Sequence, residues 1–247
     1  MAFAQSAARR RPIEGAVATL GVSDRLAFLK RTYSTLGVAL VLWVVMTAGI
    51  MRYATAFSLS FSRFALGGGF NWLLVLLGFM GVKMFARHLA MSDSSKNAQY
   101  LALFLSPLAE ALLLQPLLWI LFRHFTASEA SSILLESALI SIAVFGGLTL
   151  TVMWSKKDFT FLGGILQVGF WAALGVAVAS MLFGFNVGVI YCGALVLLMA
   201  GYILYETSLV MAYFPPTKHV AAALMLYSSL ATLFWYVLQI VMSSRRN

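Results

Sequence analysis

Two acids stand inside long apolar runs of this 247-residue chain: Glu110 in SPLAEALLLQP and Glu206 in GYILYETSLVMAYF. An ionised acid near the middle of a bilayer costs on the order of 3 kcal/mol on insertion scales, which marks each as a candidate for ion contact or proton exchange. Helical spacing puts Tyr202, Leu209 and Tyr213 on the face of Glu206, and the Tyr202 phenol at i−4 is placed to donate a hydrogen bond to it. Lys83 falls at a similar fraction of its own run, so it either pairs with Glu206 or snorkels to the headgroups. Glu110 is bracketed by Pro107 and Pro116, each of which removes a backbone hydrogen bond. Ser106 and Gln115 add polar groups to the same stretch. Such a broken helix is tolerated at membrane depth only where protein or a water-filled cavity covers it. The plainer alternative is one neutral, hydrogen-bonded acid joining two helices.

A third polar feature lies in VAAALMLYSSLATLFWYVLQIVM, where Ser228, Ser229, Thr232, Tyr236 and Gln239 recur at spacings of three and four. A stripe of this kind is expected to face Glu110 and Glu206 rather than lipid. The candidate gate is therefore Glu206 with Glu110, and the candidate partners are Lys83, Tyr202, Ser228, Ser229 and Thr232. The remaining acids suit surfaces. Glu14, Asp24, Asp93 and Asp158 fall in or beside loops, and Glu129 and Glu136 fall near a helix start, which favours negative charge.

The inventory speaks against an enzyme. His88, His124 and His219 lie near the ends of apolar runs, and no metalloprotease, nucleophile-elbow or P-loop motif occurs. No cofactor is implied. Cys192 stands alone within an apolar run, which offers neither an internal disulfide nor a zinc pattern. Firm metal ligation is not expected, with Glu206 the one weak candidate.

These residues must be positioned by helices. The chain is 62% hydrophobic and only 10% charged, where soluble domains carry about a quarter charged residues. Lipid must cover most of its surface. Runs of roughly 20 apolar residues span a bilayer, and seven are expected, near 33–51, 70–87, 100–122, 132–154, 160–183, 187–213 and 220–242. The expected organisation is a basic arm over 1–32, a seven-helix domain over 33–242 and a short basic tail over 243–247. Glycines at 146, 147, 163, 164, 169 and 175 are read as close-packing positions.

Placing the N-terminal arm in the cytoplasm puts twelve Lys and Arg inside and three outside before the tail, as the positive-inside rule requires. Arg245 and Arg246 lie outside if the last run spans and inside if it re-enters. The formal charge of +9 then belongs to headgroups and loops, and nucleic acid is not an expected partner. Arg9, Arg10 and Arg11 are not followed by the apolar core of a cleavable signal. A bacterial inner membrane is the expected location, with an organelle membrane as the alternative.

Several stretches carry a family resemblance. KKDFTFLGGIL at 156–166, GYILYETSLVMAYF at 201–214 and HVAAALMLYSSLATLFWYVLQI at 219–240 resemble the last three helices of the Bax inhibitor-1 family. SDRLAFLKRTYSTLGVAL at 23–40 and PLAEALLLQP at 107–116 resemble its earlier part. The resemblance implies six helices around a central, less hydrophobic seventh. It also implies a pH-sensitive calcium leak, gated in some members by two aspartates in the last two helices. The first of these maps to Glu206 and the second to about Ser229, so one acid is kept and one is lost, while Glu110 matches an acid of the third helix. The loss resembles the bacterial YccA-like branch, linked to modulation of the membrane protease FtsH. Two functions follow as expectations: a calcium or proton leak gated at Glu206, or a regulatory protein that binds a membrane protease without transporting ions.

Overall fold

The computed structural model describes residue 19 and residues 21–91, 96–155, 157–184 and 188–246. Arg9, Arg10, Arg11, Glu14, Asp93 and Lys156 lie outside the described residues. Those described form eight α-helices and no strand: α1 Val22–Tyr53, α2 Thr55–Leu66, α3 Gly69–Ala90, α4 Lys96–His124, α5 Ala127–Ser155, α6 Gly163–Phe183, α7 Gly188–Tyr213 and α8 His219–Arg246. All but α2 are long and apolar enough to cross a membrane. The chain is a polytopic helical membrane bundle, and each expected span falls on one of the seven.

Two boundaries differ from expectation. Helix α1 starts at Val22, so much of the end of the expected arm is helical. Phe28 and Leu29 are buried there, which anchors a stretch that its charges made look like a tail. Helix α2 occupies what the sequence suggested was an outer loop. It is short, but Ser58, Ser62 and Ala65 form a buried small-residue edge at spacings of three and four. Phe57 and Phe64 point outward.

Consecutive spans alternate in direction, and contacts at both ends hold them in register. At one end Lys218 Nζ donates to the Met91 carbonyl just after α3, at 2.5 Å. At the same end the Phe159 N–H donates to Ser208 Oγ near the end of α7, at 3.1 Å. At the other end Arg245 forms an ion pair with Glu136 of α5. Helix α8 runs unbroken between these ends, so the seventh run spans rather than re-enters, and the tail lies opposite Lys218.

Helix α8 is the enclosed one, with 72% of its apolar window buried against 6% for α3 and α6. It packs against α1, α5 and α7 and also touches α3 and α4. Ala221, Ala222 and Ala223 give it a thin, buried first turn. Further along, Trp43 of α1 meets Tyr227 and Phe234 edge-on, with ring centroids at 6.1 and 5.3 Å. Such aromatic pairs contribute about 0.5–1.5 kcal/mol each beyond their area. Helix α4 is nearly as enclosed, at 61%. It continues as one helix through Pro107 and Pro116, so the expected break does not occur. Protein cover is what makes the two missing backbone bonds tolerable.

The close-packing reading of the glycines holds at two of the six positions. A Cβ on Gly163 would sit 2.9 Å from the Tyr205 ring, and one on Gly169 would sit 2.7 Å from Leu198 Cδ1. At Gly146, Gly147, Gly164 and Gly175 a Cβ would meet nothing within 4 Å. These glycines lie against open space, not against a helix. Gly201 supplies a further contact, where a Cβ would lie 2.7 Å from Leu166 Cδ2. The α6–α7 seam thus seats Leu198 on Gly169 and Leu166 on Gly201. Helix α6 ends at Gly184 in the left-handed conformation, with its N–H bonded to the Ser180 carbonyl, a cap that glycine adopts without strain. Helix α5 opens with a capping box: the Thr126 N–H donates to Glu129 Oε2 at 2.9 Å, and the Glu129 N–H donates back to Thr126 Oγ1 at 3.4 Å. Glu129 is therefore a cap.

Candidate gating site

Four helices converge on a cavity of about 260 Å³ at the Lys218 end of the bundle. Helix α3 supplies Lys83 and Arg87, α4 supplies Ser106, α7 supplies Glu206 and α8 supplies Ser228. Ala221, in the first turn of α8, lines the cavity with Met84, Met91 and Met225.

Glu206 accepts a hydrogen bond from Ser229 Oγ at 2.6 Å. The positions to which the resemblance assigns two aspartates therefore do meet, as an acid and a hydroxyl. Ser228, one residue earlier on α8, borders the same cavity.

Lys83 takes a different partner from the one its depth suggested. Its Nζ donates to Glu110 Oε1 at 3.0 Å and lies 5.5 Å from the Tyr227 ring centroid and 5.7 Å from that of Phe79. The amine thus points into the bundle, and neither snorkelling nor a bond to Glu206 describes it. The reason is adjacency: α3 packs along α4, which brings Lys83 level with Glu110. No hydrogen bond links Glu110 to Glu206 among the described residues; each acid has its own partner. Lys83 still borders the cavity that Glu206 lines, so it stands between the two acids.

Two further expected partners turn elsewhere. The Tyr202 hydroxyl donates to the Leu166 carbonyl of α6 at 3.2 Å, not to Glu206, because Gly201 beside it admits α6 closely. Thr232 Oγ1 donates to the Ser228 carbonyl of its own helix at 2.8 Å, and Gln239 Nε2 likewise donates to Trp235. The polar stripe of α8 is thus split, with Ser228 lining the cavity, Ser229 bonded to Glu206, and Thr232 and Gln239 bonding back to the helix. Sequence reasoning missed Arg87 and Tyr227 as site residues. Arg87 follows Lys83 at i+4, a spacing that puts both on one helix face. Tyr227 carried no such signal, since an aromatic before a polar pair reads equally as packing.

Chemically, the arrangement offers one carboxyl reachable from an open cavity, one enclosed carboxyl neutralised by a lysine, and an arginine at the mouth. No group of three or more His, Cys, Asp and Glu that could hold a metal ion occurs among the described residues.

Comparison with known proteins covers almost the whole chain. The family model described as "Inhibitor of apoptosis-promoting Bax1" matches residues 25–247. "Bax inhibitor 1" of Schizosaccharomyces pombe is 30% identical over 237 residues, covering 94% of this chain and 82% of that protein. "Protein lifeguard 4" of Mus musculus is 28% identical, covering 90% of this chain and 87% of its own length. "Golgi anti-apoptotic protein" of Vaccinia virus is 26% identical, covering 94% and 91% respectively.

Proposed function

This chain belongs to the Bax inhibitor-1 family, and from that membership we propose that it is a pH-sensitive leak for cations, calcium or protons, gated at Glu206. The observation that carries the reading is the Ser229–Glu206 bond of 2.6 Å at the wall of the cavity that Lys83 and Arg87 also line. With Glu206 ionised, that bond ties α7 to the central helix, and the carboxylate is attracted by both cations. A proton on Glu206 removes the charge, weakens the bond and ends the attraction. The α7–α8 seam then loosens where the cavity already enters. Glu110 holds the charge of Lys83, which keeps that amine from repelling a passing cation.

Calcium takes six to eight oxygen ligands. The cavity offers the carboxyl of Glu206 and the hydroxyls of Ser106 and Ser228, a set suited to brief passage and not to storage. A bacterial inner membrane is the setting proposed, with the Lys218 end toward the cytoplasm, in line with the sorting of Lys and Arg.

The test is calcium flux into proteoliposomes at several pH values, with the wild type beside Glu206→Gln. A pH-dependent flux that the substitution abolishes or locks open is the expected result. No flux above empty liposomes, with both proteins folded, would overturn the calcium leak and turn attention to a regulatory role with a membrane protease.

A further inference from the structure

Beyond the cavity, polar side chains continue through the bundle toward the end where α2 sits. Above the Lys83–Glu110 pair lies Tyr227, fully buried, whose hydroxyl has no hydrogen-bond partner. Trp43 stacks edge-on to it, and its Nε1 is likewise buried without a partner. One turn further along α1, the same holds for Thr47 Oγ1. Three unpartnered polar atoms in succession are unusual in a membrane interior, where such groups are satisfied by protein or by internal water.

The series ends at a well-bonded cluster. Gln115 and Ser58 are both completely buried, and the Ser58 hydroxyl donates to Gln115 Oε1 at 2.7 Å. Ser58 accepts in turn from Trp119 Nε1 at 2.9 Å. The Gln115 amide donates to the Ala111 carbonyl at 3.0 Å and to the Thr47 carbonyl at 3.4 Å. One side chain thereby fastens α1, α2 and α4 together next to Thr47, and one turn past Ser58 the Ser62 hydroxyl is again buried without a partner.

We propose that a file of water-bridged polar groups runs from the Lys83–Glu110 pair past Tyr227, Trp43 and Thr47, and that the Gln115–Ser58–Trp119 clasp is its outer seal. The seal rests on the leak proposed above, since it gives that path a second closure on the far side of the Lys83–Glu110 pair from Glu206. Helix α2 is the part proposed to move: it is short and follows α1 after Ala54, with the Thr55 hydroxyl bonded back to the Met51 carbonyl. It is tied to α3 where Asn71 donates to the Phe64 carbonyl, and is hydrogen-bonded to α4 at Ser58. Breaking the clasp lets α2 lift and admits water from the tail side.

Accessibility tests this without any flux. A Thr47→Cys variant is prepared with Cys192→Ala and reacted with a membrane-impermeant thiol reagent from the Arg245 side. With Ser58 intact the thiol should react slowly. Ser58→Ala should speed the reaction about tenfold, the shift expected from losing one buried hydrogen bond. Trp119→Phe removes the indole donor along with part of the ring and should move the rate the same way, which keeps the test open should Ser58→Ala fail to fold. Equal rates in all backgrounds would overturn the seal. A leaky wild type with unchanged labelling sinks the seal alone. A wild type that passes no ion yet shows the rate change sinks the leak and leaves the clasp as a closure over internal water.

Discussion

The Ser229 hydroxyl and the Glu206 carboxyl meet at 2.6 Å across the α7–α8 seam. The two helices approach closely enough here for a pair of carboxyls, and this chain places one acid and one hydroxyl there. A lone acid titrates in one step, whereas two adjacent carboxyls share protons and titrate in two.

Ser229→Asp should therefore split the pH dependence of flux into two steps, with the conducting state reached at different pH from wild type. Flux at closely spaced pH values reads this directly. Ser229→Ala should lower stability by about 1 kcal/mol, the scale of a buried hydrogen bond between membrane helices. It should also remove the tie that holds the seam, which raises flux at neutral pH.

The Lys83–Glu110 pair is enclosed, with side-chain exposures of 19% and 7%. Removing one partner leaves the other charge unpaired, at a cost of about 3 kcal/mol or more. Lys83→Met and Glu110→Gln should each lower Tm sharply, and the double variant should recover most of the loss. A thermal-shift double-mutant cycle in detergent measures the coupling; additive losses would mean the pair is not a unit.

The course of α8 puts Arg246 and Lys157 at opposite ends of the bundle. Arg246→Cys and Lys157→Cys, each made with Cys192→Ala, should react with an impermeant thiol reagent from opposite sides of sealed vesicles. Labelling of both from one side would contradict an odd number of crossings. The Arg245–Glu136 pair itself is exposed on both partners, so Arg245→Ala should change stability by about 1 kcal/mol or less.

The α6–α7 seam distinguishes crowded glycines from free ones. Gly201→Val forces Leu166 aside and should cost about 1–3 kcal/mol, the usual range for overpacking. Gly175→Ala meets open space and replaces a poor helix former, so Tm should hold or rise slightly. Melting curves of the two variants, side by side, check the contrast.

The spans were legible because the bilayer itself writes them: a segment must be apolar over a fixed length, and composition reports that. Depth was legible for the same reason, which is why Glu206, Lys83 and Glu110 were all placed well inside. Rotation about the helix axis was not. Depth alone set Lys83 level with Glu206 and left snorkelling as the alternative. Its pairing with Glu110 depends on which helices are neighbours and how they are rotated, and for the same reason the Tyr202 hydroxyl could not be aimed. The Ser229–Glu206 meeting was reachable only through the family resemblance. Helix α2 escaped because its 12 residues are too few for a spanning window, and its serines read as a loop.

The most enclosed helix, α8, follows all six of the other spans in the chain. During synthesis those six enter the membrane before the helix that fills their centre exists. Until α8 arrives, Lys83 has Glu110 but not Tyr227, and Glu206 has no hydroxyl to hold. The partial bundle is thus an open ring with a charged groove, and it closes when α8 takes its place at the centre. A chain in which α8 fails to insert is left with Glu206 lacking the Ser229 hydroxyl that otherwise holds it.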